Sequence, residues 1–181
     1  MTRTLLLAAF VFGLAAAEPT GPLDFTLTAI DASPHPLAQY RGKGVLIVNV
    51  ASKCGLTKQY AGLQDLYARH QAEGLVVLGV PANDFRGQEP GTNAEIAEFC
   101  SAKYSVTFPM MAKVSVVGDG ADPLYAWLTT KSSFPGPIAW NFAKFLVGRD
   151  GTVVARFEPK VTPDSEAIRQ AVTTALATPA K

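Results

Sequence analysis

Two apolar runs separated by a segment with helical periodicity constrain the fold of this chain more than any other feature. Residues 45–50 and 75–80 are rich in valine, leucine and isoleucine, as expected of strands buried on both faces of a sheet. Between them, Tyr60, Leu63 and Leu66 recur at helical spacing until Gly74 ends the helix. The pattern predicts a βαβ unit, in which a right-handed crossover makes the two strands parallel.

The remaining segments add a hairpin at each end and further helices. The sequence predicts a hairpin that starts with residues 25–30 and turns at 31–34, and a second hairpin of residues 142–147 and 152–157. It also predicts a strand at 114–117 and a helix at 123–130. A further helix is capped by Asn93 and carries Ile96, Phe99, Cys100 and Tyr104, and a last helix starts at Thr162-Pro-Asp164 and buries Ile168, Val172 and Leu176. This order indicates an α/β thioredoxin-like fold: a central mixed β-sheet flanked by helices, with an N-terminal β-hairpin.

The first 17 residues have the order of a secretory signal peptide. A basic start is followed by an apolar run from Leu5 to Leu14 and then by Ala15-Ala-Ala17 before Glu18. The apolar run is too short to span a bilayer, although an uncleaved anchor is the alternative interpretation. We therefore predict an exported protein, periplasmic or secreted, with a signal peptide at residues 1–17 and a single domain at residues 18–181.

Charge and histidine content exclude several kinds of partner. The chain has 16 basic and 15 acidic residues, a net charge of +1, without a block of like charge. Neither a nucleic-acid groove nor a polybasic membrane patch is therefore expected. The histidines are His35 and His70, and no Cys-x-x-Cys or His-x-x-x-His spacing occurs. We expect no metal ion and no bound cofactor.

Cys54 is the candidate nucleophile. It follows the 45–50 strand and precedes the first predicted helix, which places it in a strand-to-helix turn. Unpaired backbone N–H groups at a helix N-terminus and the neighbouring Lys53 favour the thiolate, which is the reactive form of cysteine. Because Cys100 is the only other cysteine and an unusual Trp140-Asn-Phe142 step follows, the sequence favours thiol redox chemistry over a structural disulfide.

Five motifs resemble the glutathione peroxidase family in order and spacing. They are Asn49-Val-Ala-Ser-Lys-Cys-Gly-Leu-Thr57, Asn83 with Phe85 and Gly87-Gln-Glu-Pro-Gly91, Phe108-Pro109, Ala121-Asp-Pro-Leu-Tyr125 and Trp140-Asn-Phe-x-Lys-Phe-Leu-Val147. The resemblance covers essentially all of residues 18–181. It implies a thioredoxin-like fold and the reduction of hydroperoxides to water or alcohols. Cys54 stands at the family's selenocysteine position, so the chain is similar to the cysteine-containing, thioredoxin-dependent branch.

The resemblance also implies roles for three polar or aromatic residues. Matched position by position, Gln88, Trp140 and Asn141 are the catalytic partners of Cys54. Their amide and indole N–H groups are neutral donors able to stabilise a sulfur anion. Taken singly, each has a structural alternative, with Trp140 in the core, Asn141 in a turn and Gln88 on a surface loop. Their joint occurrence with Cys54 favours the catalytic interpretation.

Cys100 resembles the resolving cysteine of that branch. There, a cysteine on the corresponding helix attacks the sulfenic acid of the first cysteine and forms an intramolecular disulfide. The alternative is a small buried side chain packed with Ile96 and Phe99. From a packed helix face, Cys100 reaches Cys54 only if its helix locally unwinds.

The same resemblance implies substrates and reductants. The substrate is hydrogen peroxide or an organic or lipid hydroperoxide, and the reductant is a thioredoxin-like protein or glutathione. Such an activity protects against oxidative stress. The short stretch between Thr130 and Trp140 lacks an insertion found near here in tetrameric, glutathione-using members, which favours a monomer.

Three positions depart from the family pattern. Ala82 stands where many members have a further cysteine, Asp84 where many have glutamine, and Arg86 where glycine is frequent. None of these is an implied catalytic group. Arg86 lies beside the reactive loop, and we expect it to alter substrate access instead.

Other exported proteins share parts of the pattern. A dithiol exchanger of the thioredoxin kind needs a second cysteine at the position of Thr57. A copper-delivering protein needs two close cysteines and a histidine, and a non-catalytic domain would use Cys54 and Cys100 as a structural bridge. None of these alternatives, a thiol/disulfide protein, a metal-binding protein or a structural domain, explains the residues that accompany Cys54.

Overall fold

The computed structural model describes residues 18–180, and the predicted signal peptide, residues 1–17, lies outside the described residues. The strands and α-helices in this part of the chain are β1 (Thr26–Thr28), β2 (Pro34–Pro36), β3 (Gly44–Val50), α1 (Gln59–His70), β4 (Leu75–Pro81), α2 (Asn93–Tyr104), α3 (Pro123–Thr130), β5 (Lys144–Val147), β6 (Val153–Phe157) and α4 (Glu166–Ala177). Short 3-10 helices occur at Pro22–Asp24, Leu37–Tyr40 and Gln71–Glu73.

The central sheet has the strand order β4-β3-β5-β6. β3 is parallel to β4, through the crossover helix α1, and antiparallel to β5, which in turn pairs with β6 as a hairpin. In the middle of the sheet, Ile47 lies opposite Leu78 on one side and Phe145 on the other. β1 and β2 form a separate antiparallel hairpin. The thioredoxin-like fold, with its mixed sheet and N-terminal hairpin, is confirmed.

The core lies on both faces of the sheet. All residues of β3 and β4 are buried, as is usual for parallel strands covered on both sides. Val45 and Ile47 pack in the same cluster as residues of α3, whereas Leu46 and Val48 pack with residues of α1, α2 and α4. Burial of each such side chain contributes about 1.5–3 kcal/mol. Cys54 and Cys100 both belong to the cluster of α1, α2 and α4.

The predicted N-cap of α2 was wrong by one residue. Thr92 is the N-cap, since its hydroxyl accepts a hydrogen bond from the Glu95 N–H at 3.3 Å and the Glu95 carboxylate accepts from the Thr92 N–H at 2.7 Å. This reciprocal capping box satisfies two backbone donors at once. Asn93, the predicted cap, instead accepts a hydrogen bond from the Lys113 N–H.

Residues 114–117 do not form the predicted strand. Val114 makes an isolated parallel bridge with Ala82. The Asp84 carboxylate then accepts hydrogen bonds from the Ser115 hydroxyl at 2.7 Å and from the Val116 N–H at 2.8 Å. A side chain therefore supplies the acceptors that a neighbouring strand would supply.

The last helix starts later than predicted. Its first residue is Glu166 and its N-cap is Ser165. Residues 162–165 form a turn in which the Ser165 N–H donates to the Thr162 carbonyl at 2.9 Å. The helix buries Ile168, Val172 and Leu176, as its periodicity predicts.

No helix between residues 18 and 180 has the length and apolar character needed to cross a membrane.

Candidate active site

Cys54 lies in the predicted strand-to-helix turn, between β3 and α1. Its side chain is only 9% exposed, and its sulfur accepts a hydrogen bond from the Leu56 N–H at 3.3 Å. The Thr57 hydroxyl accepts from the Cys54 N–H and lies within hydrogen-bond distance of two carbonyls of the turn, those of Ala51 and Cys54. α1 itself begins only at Gln59. The donor to the sulfur therefore comes from the turn that precedes the helix and not, as predicted, from the helix N-terminus.

Two hydrogen bonds tie this turn to the loop that follows β4. The Lys53 N–H donates to the Gln88 carbonyl at 2.9 Å. The Ser52 hydroxyl donates to the Glu89 carboxylate at 3.1 Å. The residue before Cys54 is thus bonded directly to Gln88, which places the Gln88 loop alongside the cysteine turn.

Gln88 and Asn141 are bonded through their side-chain amides. The Asn141 amide donates to Gln88 Oε1 at 3.0 Å, and Asn141 is fully buried. The Gln88 side-chain N–H groups have no acceptor among residues 18–180, so both donors are available to another group. The structure therefore joins the Gln88 and Asn141 side chains, with their donors, beside the Cys54 turn.

Trp140 occupies the same region and packs against the core cluster that contains Cys54. Its indole ring is half-buried, with the Phe85 ring at a centroid distance of 5.4 Å and the Arg86 guanidinium carbon 5.5 Å from the ring centroid. The structure thus brings Gln88, Trp140 and Asn141 together around the turn of Cys54.

A strained turn presents Trp140 and Asn141. Phe142 has a φ of +67°, a conformation that costs of order 1–3 kcal/mol for a residue other than glycine. Asn49, in β3, holds this turn on both sides: its side-chain amide donates to the Trp140 carbonyl at 3.1 Å, and its own carbonyl accepts from the Phe142 N–H at 2.6 Å. The buried Lys144 ammonium donates to the Phe142 carbonyl at 2.7 Å and to the Pro159 carbonyl at 3.3 Å.

A model of the family described as "Glutathione peroxidase" matches residues 23–129. The chain belongs to the glutathione peroxidase family. It is therefore a peroxidase, an oxidoreductase that acts on hydroperoxides with thiol chemistry.

Relatives and a solved structure extend this similarity. "Glutathione peroxidase-like peroxiredoxin gpx1" of Schizosaccharomyces pombe is 47% identical over 136 residues, which are 74% of this chain and 86% of that protein. "Hydroperoxy fatty acid reductase Gpx2" of Synechocystis sp. is 46% identical over 155 residues, 86% of this chain and 99% of that protein. The crystal structure of "Trgpx in apo form" has a TM-score of 0.73 at 37% identity and covers 90% of this chain and 100% of that one.

Asn49 and Lys144 hold the Trp140–Phe142 turn of the candidate active site, and neither was identified in that role from the sequence. Both are fully buried polar residues within otherwise apolar strands. That contrast was a usable signal, because a buried polar group requires a specific partner. Removal from water lowers the pKa of Lys144 from 10.5 to about 7.

Cys100 is reduced and buried on α2, with 2% of its surface exposed. Burial raises the pKa of its thiol to about 11, an effect that the neighbouring Tyr60 hydroxyl opposes and the Glu89 charge reinforces. The Tyr60 ring also packs on Phe99 and Tyr104. Cys100 thus lies in the same core cluster as Cys54, and both are free thiols shielded from water.

A cavity of about 370 Å³ separates the cysteine turn from the start of α2. It is lined by Ser52, Lys53, Glu89, Pro90, Gly91, Glu95, Ile96 and Phe99. Glu89 is fully buried, its Oε1 atom has no hydrogen-bond partner among the described residues, and burial raises its pKa. Glu89 could be singled out in the sequence only by its place in the family motif.

Among residues 18–180, no group of three or more histidine, cysteine, aspartate or glutamate side chains is arranged to hold a metal ion.

Proposed function

We propose that Cys54 is the peroxide-reacting thiolate and that Gln88, Trp140 and Asn141 stabilise the charge around its sulfur. The thiolate attacks the terminal oxygen of ROOH, the O–O bond breaks, and the leaving alkoxide takes a proton, giving Cys54–SOH and ROH. One observation carries this proposal: the Asn141 amide fixes Gln88 beside the turn that holds Cys54, and the Gln88 N–H donors have no acceptor within residues 18–180. Such preorganised donors act where charge develops.

Cys100 completes the cycle in this proposal. Its thiolate attacks the sulfenic acid sulfur, so that Cys54–SOH and Cys100–SH give a Cys54–Cys100 disulfide and water. A thioredoxin-like dithiol, or two molecules of glutathione, then reduces the disulfide. Because burial raises the pKa of Cys100 to about 11, the attack requires the end of α2 to open and expose the thiol to water.

The proposed substrates are hydrogen peroxide and organic or lipid hydroperoxides. The relative from Synechocystis is named a hydroperoxy fatty acid reductase, which supports the lipid class. Removal of such compounds protects a cell against oxidative stress. We further propose that the protein is exported to the periplasm or secreted, because the first 17 residues have the order of a signal peptide. It acts without a bound cofactor, as a monomer.

The test is steady-state hydroperoxide consumption by the purified protein, with a thioredoxin system and with glutathione in parallel. Cys54→Ser should abolish turnover with both reductants while the circular dichroism spectrum stays that of the wild type. Cys100→Ser should consume one equivalent of hydroperoxide and then stop when thioredoxin is the sole reductant. A Cys54→Ser variant that keeps its turnover would refute the assignment of the nucleophile, and normal turnover of Cys100→Ser would show that Cys100 is a packing residue.

A further inference from the structure

Arg86 stands in an unusual conformation at the edge of the candidate active site. Its φ is +57°, and Gly87 follows with a φ of +65°. The left-handed region is strained for an arginine and free for a glycine. Arg86 therefore has a strained backbone conformation at a position where glycine would fit without strain.

The Arg86 guanidinium lies over the ring of Trp140, 5.5 Å from its centroid. An exposed cation–π contact of this kind contributes about 0.5–1 kcal/mol, which does not exceed the backbone strain. Within residues 18–180, no carboxylate forms an ion pair with Arg86, and none of its guanidinium donors has a hydrogen-bond acceptor. The group is held next to Trp140 with all its donors available to an external anion.

A groove of about 290 Å³ adjoins the same indole ring. It is lined by Leu56, Ala139, Trp140, Glu158, Pro159 and Lys160. Four of these six residues are apolar and can cover a hydrocarbon chain: Leu56, Ala139, Trp140 and Pro159. The groove lies next to the cysteine turn, because Leu56, which lines it, also donates its N–H to Cys54 Sγ.

We propose that Arg86 binds the carboxylate of a fatty-acid hydroperoxide whose chain lies across Trp140 and in this groove. The hydroperoxide within the chain then faces Cys54, and the products are the hydroxy fatty acid and the Cys54 sulfenic acid. The inference rests on the proposed function and specifies its substrate. Neither Arg86 nor Lys160 forms an ion pair within residues 18–180. Lys160 lines the groove together with the oppositely charged Glu158, so we assign the carboxylate anchor to Arg86.

The experiment compares one fatty-acid hydroperoxide with its own methyl ester. Reduced enzyme is mixed in stopped flow with 13-hydroperoxy-linoleic acid or with the ester, and the second-order rate constants for Cys54 oxidation are measured without reductant. The wild type should react faster with the free acid. Arg86→Gln and Arg86→Gly should both lower the acid-to-ester ratio about twofold to fivefold, the range that corresponds to an exposed ion pair. Added salt should lower the wild-type ratio in the same direction.

Two comparisons make this result specific. Lys160→Gln removes the other cation of the groove and should leave the acid-to-ester ratio at the wild-type value. Arg86→Gly also removes the backbone strain, so agreement between it and Arg86→Gln assigns the effect to the charge. Equal rates for acid and ester in the wild type, or a ratio unchanged in both Arg86 variants, would overturn the inference and leave the peroxidase function intact. Failure of the wild type to react with either compound, or with hydrogen peroxide, would instead refute the proposed function on which it rests.

Discussion

Lys144→Met tests whether the charge of one buried lysine controls how the stability of this peroxidase depends on pH. Methionine keeps nearly the length of the lysine side chain and removes its charge. In the native protein the Lys144 ammonium is fully buried, with the Phe142 and Pro159 carbonyls as acceptors, and its pKa is lowered from 10.5 to about 7 by loss of hydration. In the unfolded chain the same group keeps its ordinary pKa.

The size of the expected change in unfolding free energy follows from proton linkage. Between about pH 7 and about pH 9 the unfolded chain binds one more proton at this position than the native protein, so the free energy of unfolding rises by roughly 1.4 kcal/mol per pH unit. From about pH 7 to about pH 9, the contribution of Lys144 to the free energy of unfolding of the wild type therefore increases by about 2–3 kcal/mol. Below about pH 7 both states are protonated and the contribution of Lys144 becomes constant, at its least favourable value.

Urea unfolding of wild type and Lys144→Met, at several pH values and with both cysteines kept reduced, gives the measurement. The difference in unfolding free energy between the two proteins should shift by about 2–3 kcal/mol in favour of the wild type from about pH 7 to about pH 9. Lys43 is exposed, and Lys43→Met should show no such shift. A difference between wild type and Lys144→Met that stays constant over this range would show that the native lysine keeps an ordinary pKa.

Three further predictions concern the donors, the cap of α2 and the start of the mature chain. Asn141→Ala should slow the reaction of Cys54 with hydroperoxide roughly 100-fold to 1,000-fold, the cost of one preorganised donor of about 2.7–4 kcal/mol; a rate within threefold of wild type in stopped flow would contradict the role of Asn141. Thr92→Ala should lower the free energy of unfolding by about 1 kcal/mol through loss of the capping box, whereas Thr173→Ala on the exposed face of α4 should not, and equal denaturation midpoints for all three proteins would refute the assigned cap. Mass spectrometry of the protein from its native host should find a chain that begins at Glu18, and an intact Met1 would argue against export with cleavage.

The sheet was predictable from sequence because its signals are local. The apolar runs that became β3 and β4, and the helical spacing of Tyr60, Leu63 and Leu66 between them, depend on neighbours within a few residues. The strand expected at 114–117 failed because its acceptors come from the Asp84 carboxylate, a contact between distant parts of the chain.

Some residues of the candidate site could likewise be recognised from the sequence, whereas others depend on contacts between distant parts of the chain. Cys54, Gln88, Trp140 and Asn141 are recognisable by motif, and the structure brings them together, while their roles stay predictions. Asn49 could not be assigned a position in the site from sequence, because its amide meets the Trp140 carbonyl 91 residues further along the chain. The altered pKa of Lys144 likewise depends on burial by the whole fold.

The two ends of α2 are closed by different contacts. The start is fixed by the Thr92 capping box and by the Lys113 ammonium, which donates to the carbonyls of Glu89 and Gly91. The other end is closed by the N–H groups of Ser105 and Val106, which donate to the carbonyls of Ser101 and Cys100. Ser105 is a non-glycine residue with a φ of +52°, so unwinding from that end releases backbone strain. Cys100 lies within this half of the helix, and its departure would uncover the rings that pack around Tyr60. An oxidised enzyme with a Cys54–Cys100 disulfide would therefore display an aromatic surface that the reduced enzyme hides. A protein reductant that binds this surface would recognise the oxidised form by shape and release the reduced form when α2 closes again.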